Sequence, residues 1–166
     1  MYKMEPFEEF RNDKGELEKQ EIIKIIPYNE HFLMIDKVVS LTNKRIVAIK
    51  DVTGKEDYLR GHFVVFPIMP GALTVEGLGQ AATLLARTNI SNHQEKDVLA
   101  YKLKDVKFSA PIFPGHQVIY EVELISQDER GAVLQGKAFV KEDLVAEAFL
   151  IVAIVNRSEF RSKFAK

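Results

Sequence analysis

The sequence predicts an α+β fold in which a curved antiparallel sheet of about six strands wraps around one long central helix. Several segments are rich in β-branched residues, whereas only one long stretch, Gly71 to Ile90, has the composition of a helix. Between Gly61 and Ala86 the only formally charged side chain is Glu76. A helix this apolar must be covered on nearly all sides. Because one sheet covers only part of it, we expect two subunits to pair side by side.

Each element is predicted from local composition. Residues Glu21 to Tyr28 form a short apolar helix that ends at Pro27. The long helix begins after Pro70, which favours a helix start, and a polar segment follows it. Polar, proline and glycine residues separate the other apolar runs, which we interpret as strands. The predicted strands cover residues 32–41, 45–52, 98–108, 117–127, 132–140 and 144–155.

Composition excludes several classes of protein. The 166 residues suit one ordinary domain, which we place at 21–166 after an N-terminal extension at 1–20. A net charge of -1 argues against binding to nucleic acid or to a membrane surface. No secretion signal is visible at the start, and the longest apolar run is too short to span a bilayer. With no cysteine in the chain, we expect a soluble, cytoplasmic protein.

Two ionisable residues stand out in the apolar segment. A carboxylate inside a buried helix is costly unless it is paired, hydrogen-bonded or protonated. Glu76 is therefore either functional, or it reaches solvent at a helix edge or bonds Gln80, four residues further on. His62 lies among apolar neighbours and is either catalytic or a structural histidine. Together they form the pair expected when one group takes a proton and another donates one.

Other residues are weaker candidates. The N–H of Gly71 at the start of the long helix could donate to an oxygen that becomes negative, although simple turn geometry also explains this glycine. His93 lies in a polar loop, where we expect it to be solvated. No histidine pair has the spacing of metal ligands, so a metal site is not expected. The alternating lysines of one strand suit a solvated face or contact with an acidic partner; they are Lys102, Lys104 and Lys107.

Five segments occur in an order that resembles the 3-hydroxyacyl-(acyl-carrier-protein) dehydratases of bacterial fatty-acid synthesis, the FabZ/FabA type. The resemblance runs from about Ile22 to Val155. Its most specific part is Gly-His-Phe, then Pro-Ile-Met-Pro-Gly, then Glu-x-x-x-Gln. The segments are IPYNEHFLMIDKV, DVTGKEDYLRGHF, PIMPGALTVEGLGQ, VKFSAPIFPGHQV and AEAFL.

This resemblance implies a hot-dog fold and a homodimer. A hexamer built as a trimer of dimers is the larger assembly that it suggests. It implies that His62 is the catalytic base and Glu76 its acid partner, with the two contributed by different subunits. Gly71, Gln80 and Phe63 would bind substrate or hold the carboxylate, and a strained or cis peptide is expected near Phe63. The implied reaction is the dehydration of (3R)-3-hydroxyacyl thioesters on acyl carrier protein, without a cofactor or metal.

The sequence departs from the family pattern at several positions. Tyr28 stands where a histidine is usual, and Val64 replaces a proline. Gly77 and Gly79 replace alanines, and we hypothesise that their missing side chains enlarge or reshape the acyl tunnel. Three alternative functions remain open at this stage: a dehydratase that also isomerises the double bond, a hot-dog thioesterase, and a noncatalytic subunit that binds acyl carrier protein.

Overall fold

The computed structural model describes residues 6–165, which fold as one long helix packed in a seven-stranded antiparallel sheet. The strand order is β1-β2-β3-β5-β6-β7-β4. The helices are α1 (Lys19–Ile25), α2 (Gly71–Arg87) and α3 (Arg157–Phe164). The strands are β1 (Leu17–Glu18), β2 (Lys37–Leu41), β3 (Arg45–Asp51), β4 (Lys96–Phe108), β5 (Gln117–Gln127), β6 (Gly131–Val140) and β7 (Asp143–Asn156).

The central position of α2 confirms the predicted architecture. The helix contacts five strands, β3 to β7, and most of its residues are buried. On the sheet side, alternate residues of each strand face the helix, as period-two burial along β5 and β6 shows. Only one side of α2 near its start is incompletely covered, and Ala72, Leu73, Glu76 and Gly79 lie there. No helix among residues 6–165 is long and apolar enough to cross a membrane.

Part of the segment that was predicted to precede the domain packs in the core. Phe7 and Leu17 are both buried, and Leu17 lies in β1, paired with Val38 of β2. Arg11 donates hydrogen bonds to three carbonyl oxygens, including that of Leu41. Residues 1–5 of the predicted extension lie outside the described residues, and the boundary at residue 20 stays a prediction.

The strand predicted at 32–41 begins five residues late, at Lys37. The preceding residues take hydrogen bonds from a side chain instead of a neighbouring strand. Gln80 of α2 accepts from the N–H of Met34 at 2.8 Å and donates to the carbonyl of Phe32 at 2.9 Å. An apolar segment can therefore stay irregular, because its backbone groups are satisfied without a ladder.

Strand β4 forms one edge of the sheet and is exposed over most of its length. Its pairing with β7 shifts register twice, and Asp105 at the second shift has a positive φ of 50°. Such bulges add one residue to a strand and increase its local twist. The exposed apolar side chains of this edge are Tyr101, Leu103, Val106 and Phe108.

Candidate active site

His62 is held by an irregular loop that connects a 3-10 turn (Asp57–Arg60) to α2. Its Nδ1 lies 2.9 Å from the carbonyl oxygen of Ile68. A carbonyl only accepts hydrogen bonds, so Nδ1 carries a proton and the lone pair of a neutral ring is on Nε2. The ring edge also contacts Phe63, with 4.8 Å between ring centroids. His62 is therefore oriented, and no hydrogen bond to its Nε2 is found among residues 6–165.

The backbone next to His62 is strained, as expected. Phe63 has a φ of 50°, in the left-handed region that residues with a side chain seldom adopt. No cis peptide bond occurs among the described residues. Phe63 is 60% exposed. The next three residues are apolar and exposed as well; they are Val64, Val65 and Phe66. The loop that orients the histidine therefore presents an apolar tip to its surroundings.

Glu76 and Gln80 lie one turn apart on α2 and are hydrogen-bonded, which confirms the bond predicted between these two residues. The Gln80 Nε2 donates to Glu76 Oε1 at 3.0 Å. Gln80 itself is fully buried and makes the bonds to Met34 and Phe32 described above. With all these bonds made, the amide has a single orientation, and it holds one oxygen of the carboxylate in place. The Glu76 side chain is half-buried on the incompletely covered side of the helix.

Tyr28 is a neighbour of Glu76 that the sequence marked only as a departure from the family pattern. Burial raises the pKa of its phenol, and the negative charge of Glu76 raises it further. Its ring packs edge-on against Phe32, with 5.7 Å between centroids. The segment before β2 is therefore related to the carboxylate in two ways. The charge of Glu76 acts on Tyr28, and Gln80, which bonds Glu76, also bonds the backbone of this segment.

Gly71 is the first residue of α2, and no side chain caps this end of the helix. Its φ is not positive, so turn geometry does not require glycine here. A Cβ at this position would lie 2.8 Å from a ring carbon of Phe108, which shows that the close approach of this ring requires a residue without a side chain. A groove of about 470 Å³ opens beside the helix start. Its lining is mainly apolar and includes Ile68, Met69, Ala72, Phe108, Pro111 and Val145.

The hypothesis that Gly77 enlarges a tunnel is wrong. The ring of Tyr120 from β5 occupies the space that a side chain at residue 77 would need. At Gly79 the nearest atom to an added Cβ is a methyl carbon of Leu150 at 4.0 Å, so this position has room.

The remaining predicted candidates lie elsewhere. His93 was expected to be solvated, but its ring packs against Phe7 at 5.2 Å and burial lowers its pKa. His116 accepts a hydrogen bond from the N–H of Phe113 and stabilises a turn. Lys107 pairs with Glu147 across β4 and β7 at 3.5 Å. The described residues contain no group of three or more His, Asp or Glu side chains suited to a metal ion.

Within the described part of one chain, no hydrogen bond or ion pair joins His62 to Glu76; each has partners in its own segment. The structure thus provides a fixed imidazole, a fixed carboxylate and an uncapped helix start beside an apolar groove. A long helix wrapped by an antiparallel sheet defines the hot-dog class of proteins.

Comparison with known proteins specifies the family. A family model for the FabA-like domain matches residues 26–149. A 3-hydroxyacyl-(acyl-carrier-protein) dehydratase FabZ of Koribacter versatilis is 41% identical over 145 residues, which cover 87% of this chain and 93% of the relative. The FabZ of Wolinella succinogenes is 34% identical over 146 residues, covering 84% and 97%. The chain therefore belongs to the FabA-like family.

Solved structures agree on the fold. The dehydratase heterocomplex ApeI:P of Xenorhabdus doucetiae matches with a TM-score of 0.70 at 15% identity, covering 87% of this chain and 97% of that one. A thioesterase of Haemophilus influenzae matches with a TM-score of 0.60, also at 15% identity, covering 75% and 80%. At these identities the likeness shows the hot-dog fold and no more.

Proposed function

We propose that this protein dehydrates (3R)-3-hydroxyacyl thioesters carried on acyl carrier protein to trans-2-enoyl thioesters, as a step of fatty-acid biosynthesis. Family membership and relatives named as FabZ dehydratases support this reaction. The observation that supports the site is the orientation of His62 by the Ile68 carbonyl, which leaves Nε2 as a base.

The proposed chemistry needs two proton transfers. The C2 proton of a 3-hydroxyacyl thioester is weakly acidic, and hydroxide leaves poorly unless it is protonated. In our proposal His62 removes the C2 proton, and the carboxylic acid form of Glu76, directly or through water, protonates the leaving hydroxyl, so that the pair ends as imidazolium and carboxylate. Gln80 holds the carboxylate in position, since it donates to Glu76 Oε1. Water is released and the double bond forms between C2 and C3.

Removal of the C2 proton places negative charge on the thioester oxygen. We propose that the N–H of Gly71 donates to this oxygen at the uncapped, positive end of α2. Loss of one such donor costs about 3–4 kcal/mol of transition-state stabilisation in comparable sites. The apolar groove beside Gly71 and the exposed side chain of Phe63 are suited to contact the acyl chain.

We propose that the active unit is a homodimer in which each site takes His62 from one subunit and Glu76 from the other. The incompletely covered side of α2 and the exposed apolar edge of β4 support this arrangement. An exposed strand edge with apolar side chains is a surface that proteins normally cover. A trimer of such dimers stays a prediction.

Turnover of a short 3-hydroxyacyl thioester on acyl carrier protein tests the function, with alkene and free thiol followed together. We expect alkene without thiol, and a loss of about 10²–10⁴-fold in His62→Ala, because the variant lacks the general base. His31→Ala is the control, since His31 is an exposed histidine that has no role in the proposed reaction. Thiol release by the wild type would instead indicate a thioesterase. No turnover in folded protein would contradict the proposal.

Mixed dimers test the shared site. His62→Ala and Glu76→Ala subunits are each inactive alone, but a heterodimer of the two contains one site with both residues intact. Random exchange of equal amounts should therefore restore about a quarter of wild-type activity, since half of the dimers are mixed and each has one good site. Activity is measured after the subunits are unfolded and refolded together. No recovery, with mixed dimers confirmed by mass spectrometry, would show that each site lies within one chain.

A further inference from the structure

Tyr120 and Gly77 form a large and small pair at the interface between β5 and α2. Tyr120 is fully buried, and its ring lies against the helix backbone at Gly77. A Cβ at residue 77 would lie 2.8 Å from Cε2 of Tyr120, and closer still to Cζ and the hydroxyl oxygen. Real Cβ atoms essentially never come this close, so the ring and the glycine require each other.

The pair is adjacent to the proposed catalytic carboxylate. Gly77 directly follows Glu76 in α2. The Tyr120 hydroxyl is within electrostatic reach of Tyr58, which lies in the 3-10 turn just before His62. The hydroxyl oxygens of Tyr58 and Tyr120 are buried and have no hydrogen-bond partner within the chain as described. Burial raises the pKa of both phenols, so both remain neutral.

We infer that Tyr120 is a positioning residue for the reaction: its ring sets the separation between α2 and β5 at Gly77 and thereby the place of the Glu76 carboxylate. This inference rests on the proposed function of Glu76. Residues 76 and 77 are neighbours in one helix, so a displacement of the helix at residue 77 also displaces residue 76. A misplacement of about 1 Å can lower turnover about 100-fold, even when the substituted residue does not touch the substrate.

Four variants test this inference, and they are compared with the wild type using a four-carbon 3-hydroxyacyl substrate. Gly77→Ala adds the methyl group that the Tyr120 ring excludes. Tyr120→Leu shortens the opposing side chain, and the double variant combines both changes. Phe7→Ala is the control, because it removes a buried aromatic side chain that packs against His93, near the other end of α2 and away from Glu76. Melting temperature, kcat and KM are measured for each.

We expect Gly77→Ala to lose about 100-fold in kcat with KM changed less than about threefold, at a temperature where the variant is fully folded. The double variant should recover most of this loss, because leucine leaves space for the new methyl group. Phe7→Ala should lower the melting temperature but keep kcat within about threefold of the wild type where it is folded. A purely structural role predicts a lower melting temperature for Gly77→Ala with an unchanged kcat, and this result would overturn the inference.

If Gly77→Ala does not fold, the comparison of Tyr120→Leu with the double variant decides. The inference expects the double variant to be the more active of the two, since alanine fills part of the space that leucine leaves open. Equal or lower activity would overturn it. An inactive wild type would overturn the proposed function and the inference with it, whereas an active wild type with an unaffected Gly77→Ala overturns the inference alone.

Discussion

Gln80 joins the proposed catalytic carboxylate to the loop before β2. Its buried side chain bonds the Met34 N–H, the Phe32 carbonyl and Glu76. We expect Gln80→Leu to lower the free energy of unfolding by about 2–4 kcal/mol, because two backbone groups and one carboxylate oxygen lose their partner inside the protein. Urea denaturation measures the change, and kcat should fall as Glu76 loses its orientation.

Gln20→Leu is the control for this substitution. Gln20 also bonds a carboxylate, that of Glu30, but both groups are exposed to water. Its replacement should change the unfolding free energy by less than about 0.5 kcal/mol. Equal effects of the two substitutions would show that the buried position of Gln80 gives it no special role.

At the residue scale, the sequence predicted contacts that depend on local spacing. The bond from Gln80 to Glu76 follows from a separation of four residues in a helix. The fit of Tyr120 against Gly77 spans 43 positions between two elements, so no periodic pattern indicates it. His93 was mispredicted for the same reason: its loop is polar, but a distant residue, Phe7, covers its ring.

Helix α3 is attached to β4 by a buried carboxylate. Asp97 of β4 accepts from Arg157 at 2.9 Å and from Arg161 at 3.0 Å. Burial of Asp97 alone would raise its pKa, but the hydrogen bonds from Arg157 and then Arg161 outweigh burial and lower the pKa below its ordinary value. The ion pairs therefore stabilise the folded state above the unfolded pKa of about 4 and are lost as the pH falls through the folded value.

This pH dependence is a testable property of the element. We expect Asp97→Asn to reduce the unfolding free energy by about 2 kcal/mol at pH 7, and the difference from wild type should shrink as the pH falls below about 4. Urea titrations at several pH values measure it. Glu129→Gln removes an exposed carboxylate in the turn after β5 and should have no comparable effect. A difference that stays constant down to pH 2 would contradict the assigned ion pairs.

At the element scale, strands β2 to β7 and helices α1 and α2 were predicted, whereas β1, α3 and the strand irregularities were not. The prediction placed β5 at 117–127, as the structure has it, because polar, proline and glycine residues bound its apolar run. The second register shift of β4 lies between Lys104 and Lys107, where the spacing of the lysines changes from two residues to three, a signal that the prediction did not use. Helix α3 was missed, although Asn156 caps it by accepting from the N–H of Glu159, and this spacing is typical of a helix start.

At the scale of the whole molecule, the edge of the sheet formed by β4 is incompletely covered. β4 ends the sheet, so one side of its backbone has no strand partner within the chain as described. Leu103 lies opposite Leu150 in the pairing of β4 with β7, so both face the side of the sheet that holds α2. Leu150 is buried there, whereas Leu103 is 46% exposed. A second copy of the chain that covers this surface would bury Leu103 and bring its own His62 and Glu76 to the interface.

We therefore expect Leu103→Lys to weaken the dimer and, with it, turnover. A lysine placed in a covered apolar interface must be desolvated without a partner, which favours separate subunits. Because a site in an isolated subunit would lack the catalytic group that the partner contributes, activity should fall with dilution in parallel with the mass measured by sedimentation.

Ile125→Lys provides the matched comparison for Leu103→Lys, since Ile125 is 53% exposed on β5, which two strands separate from β4. It should leave both mass and activity unchanged. A Leu103→Lys monomer with full activity would show that one chain contains a complete site, and the shared arrangement of His62 and Glu76 would then be wrong. An unchanged dimer with full activity would instead show that subunits meet through another surface. Loss of activity that follows the loss of dimer, seen only at Leu103, is the result that the exposed strand edge and the separated histidine and glutamate together predict.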